Sequence, residues 1–397
     1  MAGIPEQRCE TNVDAEAQGA APAALGADDA RFMRRAIELA WRGWGWTNPN
    51  PLVGCVLVRD GRIIGEGWHH RFGGPHAERE ALAACSESPA GATAYVTLEP
   101  CCHTGKTPPC TEALIEAGIA RVVVGVLDPN PLVAGRGNEA LRRAGIEVAV
   151  GVLEPSCRAV NEPFLHAMEQ RRPLVIAKYA MTLDGKVATR EGLSRWVTGE
   201  AARRRVHEDR HRHAGVMVGI GTALADDPLL TCRLDGREVS QPARVVVDAA
   251  ARLSLESQLV RTASEAPVIV AVAEGALLAR RNALAERGCA VVAVPAREGR
   301  VDPRILMELL WQRFSLDSLI VEGGPTLLGS LFDEGLVDRV QAYIAPKIFG
   351  GLEALGPVAG RGVGDPADAP VLSEVSLQMM GGDVLLEGRL QPCSPVS

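Results

Sequence analysis

The stretch from Gly74 to Cys110 constrains this chain more than any other. It contains Pro75-His76-Ala77-Glu78 and, further on, Glu99-Pro100-Cys101-Cys102-His103-Thr104-Gly105-Lys106-Thr107-Pro108-Pro109-Cys110. A catalytic zinc ion needs three nitrogen or thiolate ligands and one open position for water. His76, Cys101 and Cys110 can supply these ligands, which leaves Glu78 free to move protons to and from a water that the ion makes acidic. Both halves of the motif lie at predicted helix starts, whose positive ends favour thiolates, so Cys110 is expected to ionise readily.

The pattern resembles the zinc nucleobase deaminase signature, in which His-x-Glu is followed by Pro-Cys-x-x-Cys and the Glu is not a ligand. It departs from that signature because eight residues, not two, separate Cys101 from Cys110. Residues two apart on a helix face different sides, so Glu78 is expected to reach the open side of the metal. Two alternatives stay open here: a closed structural site with Cys102 or His103 as fourth ligand, and metal-free, packed cysteines.

Composition disfavours several other classes of protein. The net charge of −7 over 397 residues gives no basic field to recruit nucleic acid. No run of eighteen apolar residues is present, and the N-terminus lacks a secretory signal, so neither a membrane span nor export is expected. The ten cysteines are then expected to be reduced thiols in the cytoplasm. Residues 1–27 have few apolar anchors and are predicted to be a disordered extension.

Strand and helix signals alternate in the first half, which predicts a three-layer α/β/α domain over residues 28–172. The predicted elements are a helix from Asp28, a hairpin of strands 52–58 and 62–68, a helix 75–84 that carries His76 and Glu78, a strand 92–98, a helix 111–117, a strand 121–126, a helix 138–144 and a strand 146–150.

A second α/β domain with a parallel or mixed sheet is predicted over residues 173–397. Its predicted strands are 174–178, 216–219, 243–248, 268–273, 290–294, 319–321 and one near 384–386, with helices 200–211 and 276–287 and one ending at Asp333. The turn Glu322-Gly323-Gly324-Pro325-Thr326 is either a phosphate-binding strand-to-helix turn or a tight turn without a ligand. The run from Gly219 to Leu224 lacks the third glycine of the dinucleotide fingerprint. His207, His211 and His213 are expected on a solvated helix face.

Longer runs of sequence resemble a known family. Asn48-Pro-Asn-Pro-Leu-Val-Gly-Cys, His76-Ala-Glu, Leu98-Glu-Pro-Cys-Cys-His-Thr-Gly-Lys-Thr-Pro-Pro-Cys and Asp128-Pro-Asn-Pro-Leu-Val-Ala-Gly-Arg-Gly resemble the bacterial bifunctional riboflavin-biosynthesis enzymes, in which the long cysteine spacer is the normal form. These enzymes join a diaminohydroxyphosphoribosylaminopyrimidine deaminase to a 5-amino-6-(5-phosphoribosylamino)uracil reductase. The resemblance implies that Asn50, His69, His103 and Lys106 contact the pyrimidine or its phosphoribosyl arm.

The second half resembles the reductase of the same family, a dihydrofolate-reductase-like domain that uses NADPH. The runs that show this are Lys178-Tyr-Ala-Met-Thr-Leu-Asp-Gly-Lys-Val-Ala, Ser194-Arg-Trp-Val-Thr-Gly, Gly221-Thr-Ala-Leu-Ala-Asp-Asp-Pro and Val321-Glu-Gly-Gly-Pro-Thr. By resemblance, NADPH is held by Ala180, Trp196, Thr222, Asp226, Gly324, Pro325, Thr326, Leu327, Leu328, Gly329 and Ser330. The implied substrate residues are Lys178, at the end of the first reductase strand, with Ser194, Arg210, Leu230, Arg233 and Glu322, and the arginines are expected to pair with the substrate phosphate.

The resemblance therefore implies an N-terminal cytidine-deaminase-like domain, a C-terminal dihydrofolate-reductase-like α/β domain, and Zn²⁺ and NADPH as cofactors. The expected function is hydrolytic deamination of 2,5-diamino-6-(5-phosphoribosylamino)pyrimidin-4(3H)-one, with Glu78 as proton carrier, followed by reduction of the ribosyl chain to ribityl. The expected partners are this small substrate and further copies of the chain, without nucleic acid or membrane. Two rival hypotheses are a deaminase of free or RNA-borne cytosine or adenine and a zinc-stapled sensor of flavin precursors.

Overall fold

The computed structural model describes residues 26–104 and 108–391. The predicted extension, residues 1–27, falls almost entirely outside these ranges, and so does Lys106. Across the described ranges, no helix is long and apolar enough to cross a membrane.

The first half contains a five-stranded sheet with helices on both faces. Its strands are β1 (Gly54–Arg59), β2 (Arg62–Trp68), β3 (Thr93–Leu98), β4 (Arg121–Val126) and β5 (Glu147–Val150). Its helices are α1 (Ala27–Ala40), α2 (Ala77–Ala83), α3 (Cys110–Glu116), α4 (Arg136–Arg143), α5 (Glu154–Val160) and α6 (Glu162–Gln170), with a 3₁₀ turn at Trp41–Gly43. The strand order is β2-β1-β3-β4-β5, antiparallel on either side of β1 and parallel from β3 to β5.

Successive side chains along these strands point to opposite faces of the sheet and pack in two separate apolar cores, as expected for strands covered on both faces. On β3, Tyr95 packs in the core beneath α1, whereas Ala94 and Val96 pack in the core beneath α2, α3 and α4. Gly67 on β2 is required for the second core, because a Cβ there would lie 2.3 Å from the backbone nitrogen of Ala81 on α2. The predicted three-layer arrangement is confirmed.

The second half contains a nine-stranded mixed sheet. Its strands are β6 (Leu174–Thr182), β7 (Gly215–Gly219), β8 (Ala243–Val247), β9 (Val268–Ala273), β10 (Ala290–Val294), β13 (Ser318–Val321), β14 (Arg339–Ala345), β15 (Leu372–Met380) and β16 (Asp383–Leu390), and a separate hairpin is formed by β11 (Ala296–Arg297) and β12 (Arg300–Val301). The helices are α7 (Glu200–Arg212), α8 (Ile220–Asp226), α9 (Gln258–Arg261), α10 (Leu278–Glu286), α11 (Pro303–Phe314) and α12 (Pro325–Asp333), with a 3₁₀ turn at Pro366–Asp368.

The order of this sheet is β10-β9-β8-β7-β13-β6-β14-β16-β15. The strands from β10 to β14 are parallel, and β16 and β15 continue the sheet antiparallel. Parallel strands end at the same edge, so the segments that follow β6, β13, β7 and β8 converge there. Strand β6 extends to Thr182, so the prediction that Lys178 lies at the end of this strand is wrong: Lys178 is in the middle of β6.

Candidate functional site

Three predicted metal ligands converge between the loop that follows β3 and the starts of α2 and α3. The Nδ1 atom of His76 lies 3.5 Å from the sulfur of Cys101 and 3.4 Å from that of Cys110. In a tetrahedral zinc site, Zn–N of about 2.0 Å and Zn–S of about 2.3 Å place such atoms about 3.5 Å apart. The geometry and the nitrogen and sulfur donors therefore fit a zinc ion. In the part of the chain that the structure describes, this is the cluster that offers three such ligands.

The carboxylate predicted to carry protons lies beside this cluster. His76 is the N-cap of α2 with an extended backbone, so the prediction that the helix itself carries His76 is wrong by one residue. Glu78 stands in the first turn of α2 and is 3% exposed. Burial, together with the negative charge of Cys101, raises the pKa of Glu78 to about 6. A carboxyl group with such a pKa can exchange a proton near neutral pH.

The thiols of Cys101 and Cys110 have pKa values shifted in opposite directions. The hydrogen bond from Cys110, with further help from His76, lowers the pKa of Cys101 to about 4 although burial opposes this. The same hydrogen bond raises the pKa of Cys110, because Cys110 donates its proton to the Cys101 thiolate. Burial raises the pKa of Cys110 further. In the absence of a cation, Cys101 is therefore the thiolate and Cys110 keeps its proton, and the ionisation of Cys110 as a metal ligand stays a prediction.

Asn50 and His69 form a hydrogen-bonded pair next to the cluster. The amide of Asn50 donates to Nε2 of His69 at 3.1 Å, and Nδ1 of His69 donates to the carbonyl of Pro75 at 2.8 Å. Burial lowers the pKa of His69, which keeps the ring neutral in this arrangement. The rings of His69 and His76 meet edge to face with centroids 5.4 Å apart.

Cys102 and His103, the two described residues that follow Cys101, do not complete a closed metal site. The sulfur of Cys102 faces the carbonyl of Leu132 at 3.8 Å, and neither Cys102 nor His103 joins the cluster of ligand atoms. Within the described ranges, Nδ1 of His103 is buried without a hydrogen-bond partner, so it is available to a ligand. Lys106 lies outside the described residues.

Sequence reasoning missed Glu99, which holds the loop opposite the ligand residues. Its carboxylate accepts hydrogen bonds from the backbone nitrogens of Asp128 at 3.3 Å, Gly135 at 3.0 Å and Asn138 at 3.0 Å. A Cβ at Gly137 would lie 2.1 Å from the carbonyl of Pro100, so the loop also packs tightly behind Cys101. The available signal was an acidic residue directly after a buried strand and two positions before a ligand.

The second centre is a cavity of about 1060 Å³ at the carboxyl edge of the large sheet. Ten of the eleven predicted cofactor residues line it: Ala180, Trp196, Thr222, Asp226, Gly324, Pro325, Thr326, Leu327, Leu328 and Ser330. Gly329 does not, because it packs on the other side of α12, where a Cβ would lie 2.1 Å from the carbonyl of Ala359.

The glycine turn between β13 and α12 fits a phosphate group. Gly323 and Gly324 have φ of +123° and +85°, values that residues with side chains rarely adopt. Gly324 is the N-cap of α12 and has no side chain to satisfy the first backbone N–H groups, which favours an anion there.

A second cavity of about 670 Å³ adjoins the first. All six predicted reductase substrate residues line it: Lys178, Ser194, Arg210, Leu230, Arg233 and Glu322. Lys178, Ser194, Trp196, Thr222, Asp226 and Glu322 line both cavities, so the two meet where Lys178 and Glu322 stand.

Glu322 is the buried anion at this junction. Arg210 on α7 donates two hydrogen bonds to it, of 2.5 and 2.7 Å, and Nζ of Lys178 lies 3.9 Å away. Burial alone would raise the pKa of Glu322, but Arg210 and Lys178 lower it to about 2. Burial lowers the pKa of Lys178. Because the guanidinium of Arg210 is engaged by Glu322, Arg233 is the freer cation for a substrate phosphate.

The histidines of α7 and its end are not on a solvated face, contrary to prediction. Nδ1 of His207 accepts from the backbone of Arg233, and Nδ1 of His211 accepts from that of Ser240. The ring of His211 also meets Trp46 of the first half, with centroids 5.3 Å apart. Helix α7 thus lies between the two cavities of the second half and the loop that leads to Asn50.

Two segments of the chain match known sequence families. Residues 27–126 match the cytidine and deoxycytidylate deaminase zinc-binding region, and residues 173–386 match the RibD C-terminal domain. The chain is 48% identical over 359 residues to riboflavin biosynthesis protein RibD of Actinobacillus pleuropneumoniae, covering 90% of this chain and 94% of that protein. It is 41% identical over 372 residues to the protein of the same name from Escherichia coli strain K12, covering 90% and 98%.

Solved structures show the same similarity. The Acinetobacter baumannii RibD structure superposes with a TM-score of 0.84 at 37% identity, over 92% of this chain and 99% of that one. A diaminohydroxyphosphoribosylaminopyrimidine deaminase/5-amino-6-(5-phosphoribosylamino)uracil reductase from Thermotoga maritima superposes with a TM-score of 0.79 at 40% identity, over 92% and 99%. The likeness therefore runs through both halves of the chain.

Proposed function

Because this chain belongs to the RibD family of riboflavin biosynthesis proteins, we propose that its two centres act in sequence on one small substrate. The protein is a bifunctional enzyme with a zinc-dependent deaminase domain and an NADPH-dependent reductase domain. We assign residues 28–172 to the first domain and 173–397 to the second, with residues 1–27 as an extension. The supporting observation is that one chain holds both a three-ligand cluster beside a buried acid and a pair of joined cavities.

In the deaminase centre, His76, Cys101 and Cys110 hold the zinc ion. When bound, the ion supplies the charge that makes a water molecule acidic near neutral pH. Glu78 takes the proton from the water and returns it to the amino nitrogen that leaves as ammonia. Asn50 and His69 orient the pyrimidine: the amide nitrogen of Asn50 is engaged by His69, which leaves its Oδ1 to accept a hydrogen bond. His103 and Lys106 complete the contacts with the substrate.

In the reductase centre, the glycine turn and the residues around it hold NADPH, which supplies the hydride. Lys178 donates a hydrogen bond to the oxygen of the ribosyl group that opens as its carbon is reduced. Glu322 fixes Lys178 and Arg210 beside that carbon. Ser194 and Leu230 line the substrate cavity, and Arg233 binds the phosphate.

The setting of the enzyme follows from its chemistry. Zinc ligation requires reduced thiols, and the eight cysteines of the described ranges are free, so we assign the enzyme to the reducing cytoplasm.

We further propose that it is a homo-oligomer that pairs through β15, the exposed edge strand of the large sheet.

The test is an assay of the purified chain with 2,5-diamino-6-(5-phosphoribosylamino)pyrimidin-4(3H)-one, following ammonia release and NADPH oxidation separately. We expect both signals, with NADPH oxidation starting only after deaminated product has formed. Ammonia without NADPH oxidation would refute the reductase assignment. Activity on cytosine or adenine instead of this substrate would refute the sequence of reactions.

A further inference from the structure

Asn50 lies on a loop, residues 44–53, that contacts both halves of the chain. The end of this loop next to β1 is held within the first half. There, buried Asn161 accepts a hydrogen bond from the backbone nitrogen of Leu52 at 2.8 Å and donates one to the carbonyl of Leu52 at 2.9 Å. The other end contacts α7 of the second half. The position of Asn50 therefore depends on residues outside its own domain.

Helix α7 holds the start of this loop through close packing and ring contacts. The guanidinium of Arg212 lies 4.1 Å from the centroid of the Trp44 ring, and the rings of Trp46 and His211 meet edge to face. Gly45, between the two tryptophans, has φ of +83°, and a Cβ there would lie 2.5 Å from the carbonyl oxygen of His211. The backbone of the loop thus approaches α7 at a distance that only glycine permits.

The middle of the loop makes a polar contact with the second half. The side-chain amide of Asn48 donates a hydrogen bond to the carboxylate of Asp317, which is 7% exposed and directly precedes β13. Oδ1 of this carboxylate also accepts from the hydroxyl of Ser318 at 2.8 Å. That hydroxyl accepts in turn from the backbone nitrogen of Ala214, just beyond α7, at 3.1 Å. Asp317 is therefore a fixed acceptor where the two halves meet.

A tight turn connects this contact to Asn50. The backbone nitrogen of Asn50 donates to the carbonyl of Thr47 at 2.8 Å, so Asn48 lies inside a four-residue turn that ends at Asn50. The side-chain amide of Asn50 is in turn hydrogen-bonded to Nε2 of His69. A shift of Asn48 therefore moves the side chain that orients the pyrimidine.

We propose that Asp317 is a positioning residue for the deamination reaction: through Asn48 it fixes Asn50 in the orientation that binds the pyrimidine. The inference rests on the proposed role of Asn50 in the deaminase centre. It gives β13 a function at each end, because Asp317 precedes this strand and Glu322, in the reductase centre, follows it. The second domain thus contributes to the first reaction without touching its substrate.

The test measures steady-state ammonia release by the full-length chain. In Asn48→Ala and Asp317→Ala, binding of the substrate must itself order the loop. We therefore expect KM for deamination to rise about tenfold, the effect of losing one hydrogen bond to a charged group. The kcat value should stay within about twofold of the wild type, because the zinc ligands and Glu78 are unchanged. A general folding defect would instead lower kcat and the zinc content together.

Two further variants test the hydrogen bond itself. If both residues act through one contact, the double variant Asn48→Ala/Asp317→Ala should raise KM no further than the larger single change does. Asp317→Asn keeps an oxygen acceptor for Asn48 and should recover most of the wild-type KM.

Glu238→Gln is the matched control. It removes a different contact between the two halves, the exposed ion pair with Arg71 at 3.1 Å, and should leave KM for deamination unchanged. Reduction of pre-formed deaminated substrate should be unchanged in every variant, which shows that the second domain is folded.

An unchanged KM in Asn48→Ala, or additive increases in the double variant, would overturn the inference. An equal rise of KM in Glu238→Gln would also overturn it, because any contact between the halves would then have the same effect. If the wild-type chain releases no ammonia, the proposed deaminase function fails. If the wild type is active and Asn48→Ala has the same KM, this inference alone fails.

Discussion

Glu78 and Glu322 both carry buried carboxyl groups, but the charges around them shift the pKa values of the two groups in opposite directions. Glu78 has an anionic sulfur nearby, and burial raises its pKa to about 6, so it can carry a proton. The side chain of Glu322 is also only 7% exposed, but Arg210 and Lys178 lower its pKa to about 2, so it remains an anion that holds these two cations in place. The difference in charge environment assigns them different tasks within one chain.

Replacing Glu78 with Gln should remove the proton carrier and leave the metal ligands intact. We expect the deaminase kcat to fall by about 10²- to 10⁴-fold, the usual contribution of general acid–base catalysis. Metal analysis should still find zinc, and reduction of pre-formed deaminated substrate should continue at the wild-type rate. Glu80→Gln, two residues further along α2, is the control. Zinc loss in Glu78→Gln would argue that Glu78 is a ligand.

Replacing Glu322 with Gln should destabilise the second domain as well as slow reduction. Arg210 and Glu322 have side chains only 11% and 7% exposed, so the change leaves a buried cation without its partner. Breaking such a pair costs about 3–5 kcal/mol. We expect a lower unfolding midpoint in urea and loss of NADPH oxidation, with ammonia release retained. A wild-type unfolding midpoint would contradict the structural role of this pair.

The sequence predicts the clustering of His76, Cys101 and Cys110, because their chemistry is local and the three residues are identified by type and spacing. Their role as zinc ligands stays a prediction. The sequence did not reveal Glu99, whose function depends on a loop some thirty residues later in the chain. The pKa values of Cys101 and Cys110 shift in opposite directions because of the hydrogen bond between the two side chains. A prediction from the position of Cys110 at a helix start does not take this hydrogen bond into account.

At the scale of elements, helix α12 and the turn before it determine where a cofactor phosphate can bind. The turn combines two glycines in positive-φ conformations with a helix N-terminus that has no side-chain cap. Regular elements such as β3, β9 and α12 were predicted from apolar runs and glycine boundaries. Strand β14 and helices α5 and α6 were not predicted, and β15 lacked a signal because most of its side chains are exposed.

Replacing Gly324 with Ala should weaken NADPH binding. The residue has φ of +85°, and a Cβ would lie 3.4 Å from Oγ1 of Thr222 inside the cavity. We expect KM for NADPH to rise about tenfold and deaminase activity to be unchanged, because strain of about 1–2 kcal/mol at this φ is relieved by moving the turn out of the position that binds the phosphate. Gly335→Ala is the matched control: it has φ of +64° just beyond the other end of α12, with open space around it. If both variants raise KM equally, backbone strain and not the cavity is responsible.

At the scale of the whole molecule, the two halves meet through charged and aromatic side chains. Arg212 lies over the ring of Trp44 at 4.1 Å, and Arg339 on β14 pairs with Glu162 on α6 at 2.8 Å. These contacts enclose a small cavity at the domain junction, lined by the loop that carries Asn50 and by His213. The sequence could not predict this junction, because neither half alone shows which charges face the other.

His213 should make the junction sensitive to acid. Burial and the neighbouring Arg212 and Arg205 lower its pKa to about 3, and its Nδ1 has no partner among the described residues. Because this pKa is below the ordinary 6.5, stability is fully present above pH 6.5 and declines as pH falls towards 3.

In His213→Gln, the drop in Tm between pH 7 and pH 5 should be about 2–4 °C smaller than in the wild type. The comparison of the two proteins cancels the contributions of Asp209 and Asp317, two acidic residues with raised pKa values that also line this cavity. Burial raises the pKa of Asp317 to about 6, so that group acts in the opposite direction in both proteins. Equal drops in Tm in the two proteins would show that protonation of His213 does not destabilise the folded state.

The exposed edge strand β15 should join two copies of the chain. Val375, Leu377 and Met379 alternate along it and are 53%, 69% and 66% exposed. Leu377 lies opposite Leu386 and Met379 opposite Val384 on β16, so an apolar surface continues from the sheet to an unpaired edge. Such an edge is stabilised when a second strand covers it.

Light scattering during size-exclusion chromatography should therefore give the wild type twice the chain mass of 42.1 kDa or a multiple of it. Leu377→Lys and Met379→Lys place charges on the proposed contact surface and should shift the protein to the monomer. Leu278→Lys is the matched control, because Leu278 on α10 is also 66% exposed but lies away from this edge. A monomeric wild type, or dissociation by Leu278→Lys alone, would refute pairing through β15. If the β15 variants are monomers that keep both activities, each chain contains two complete active sites, and oligomerisation serves to cover the edge of the sheet.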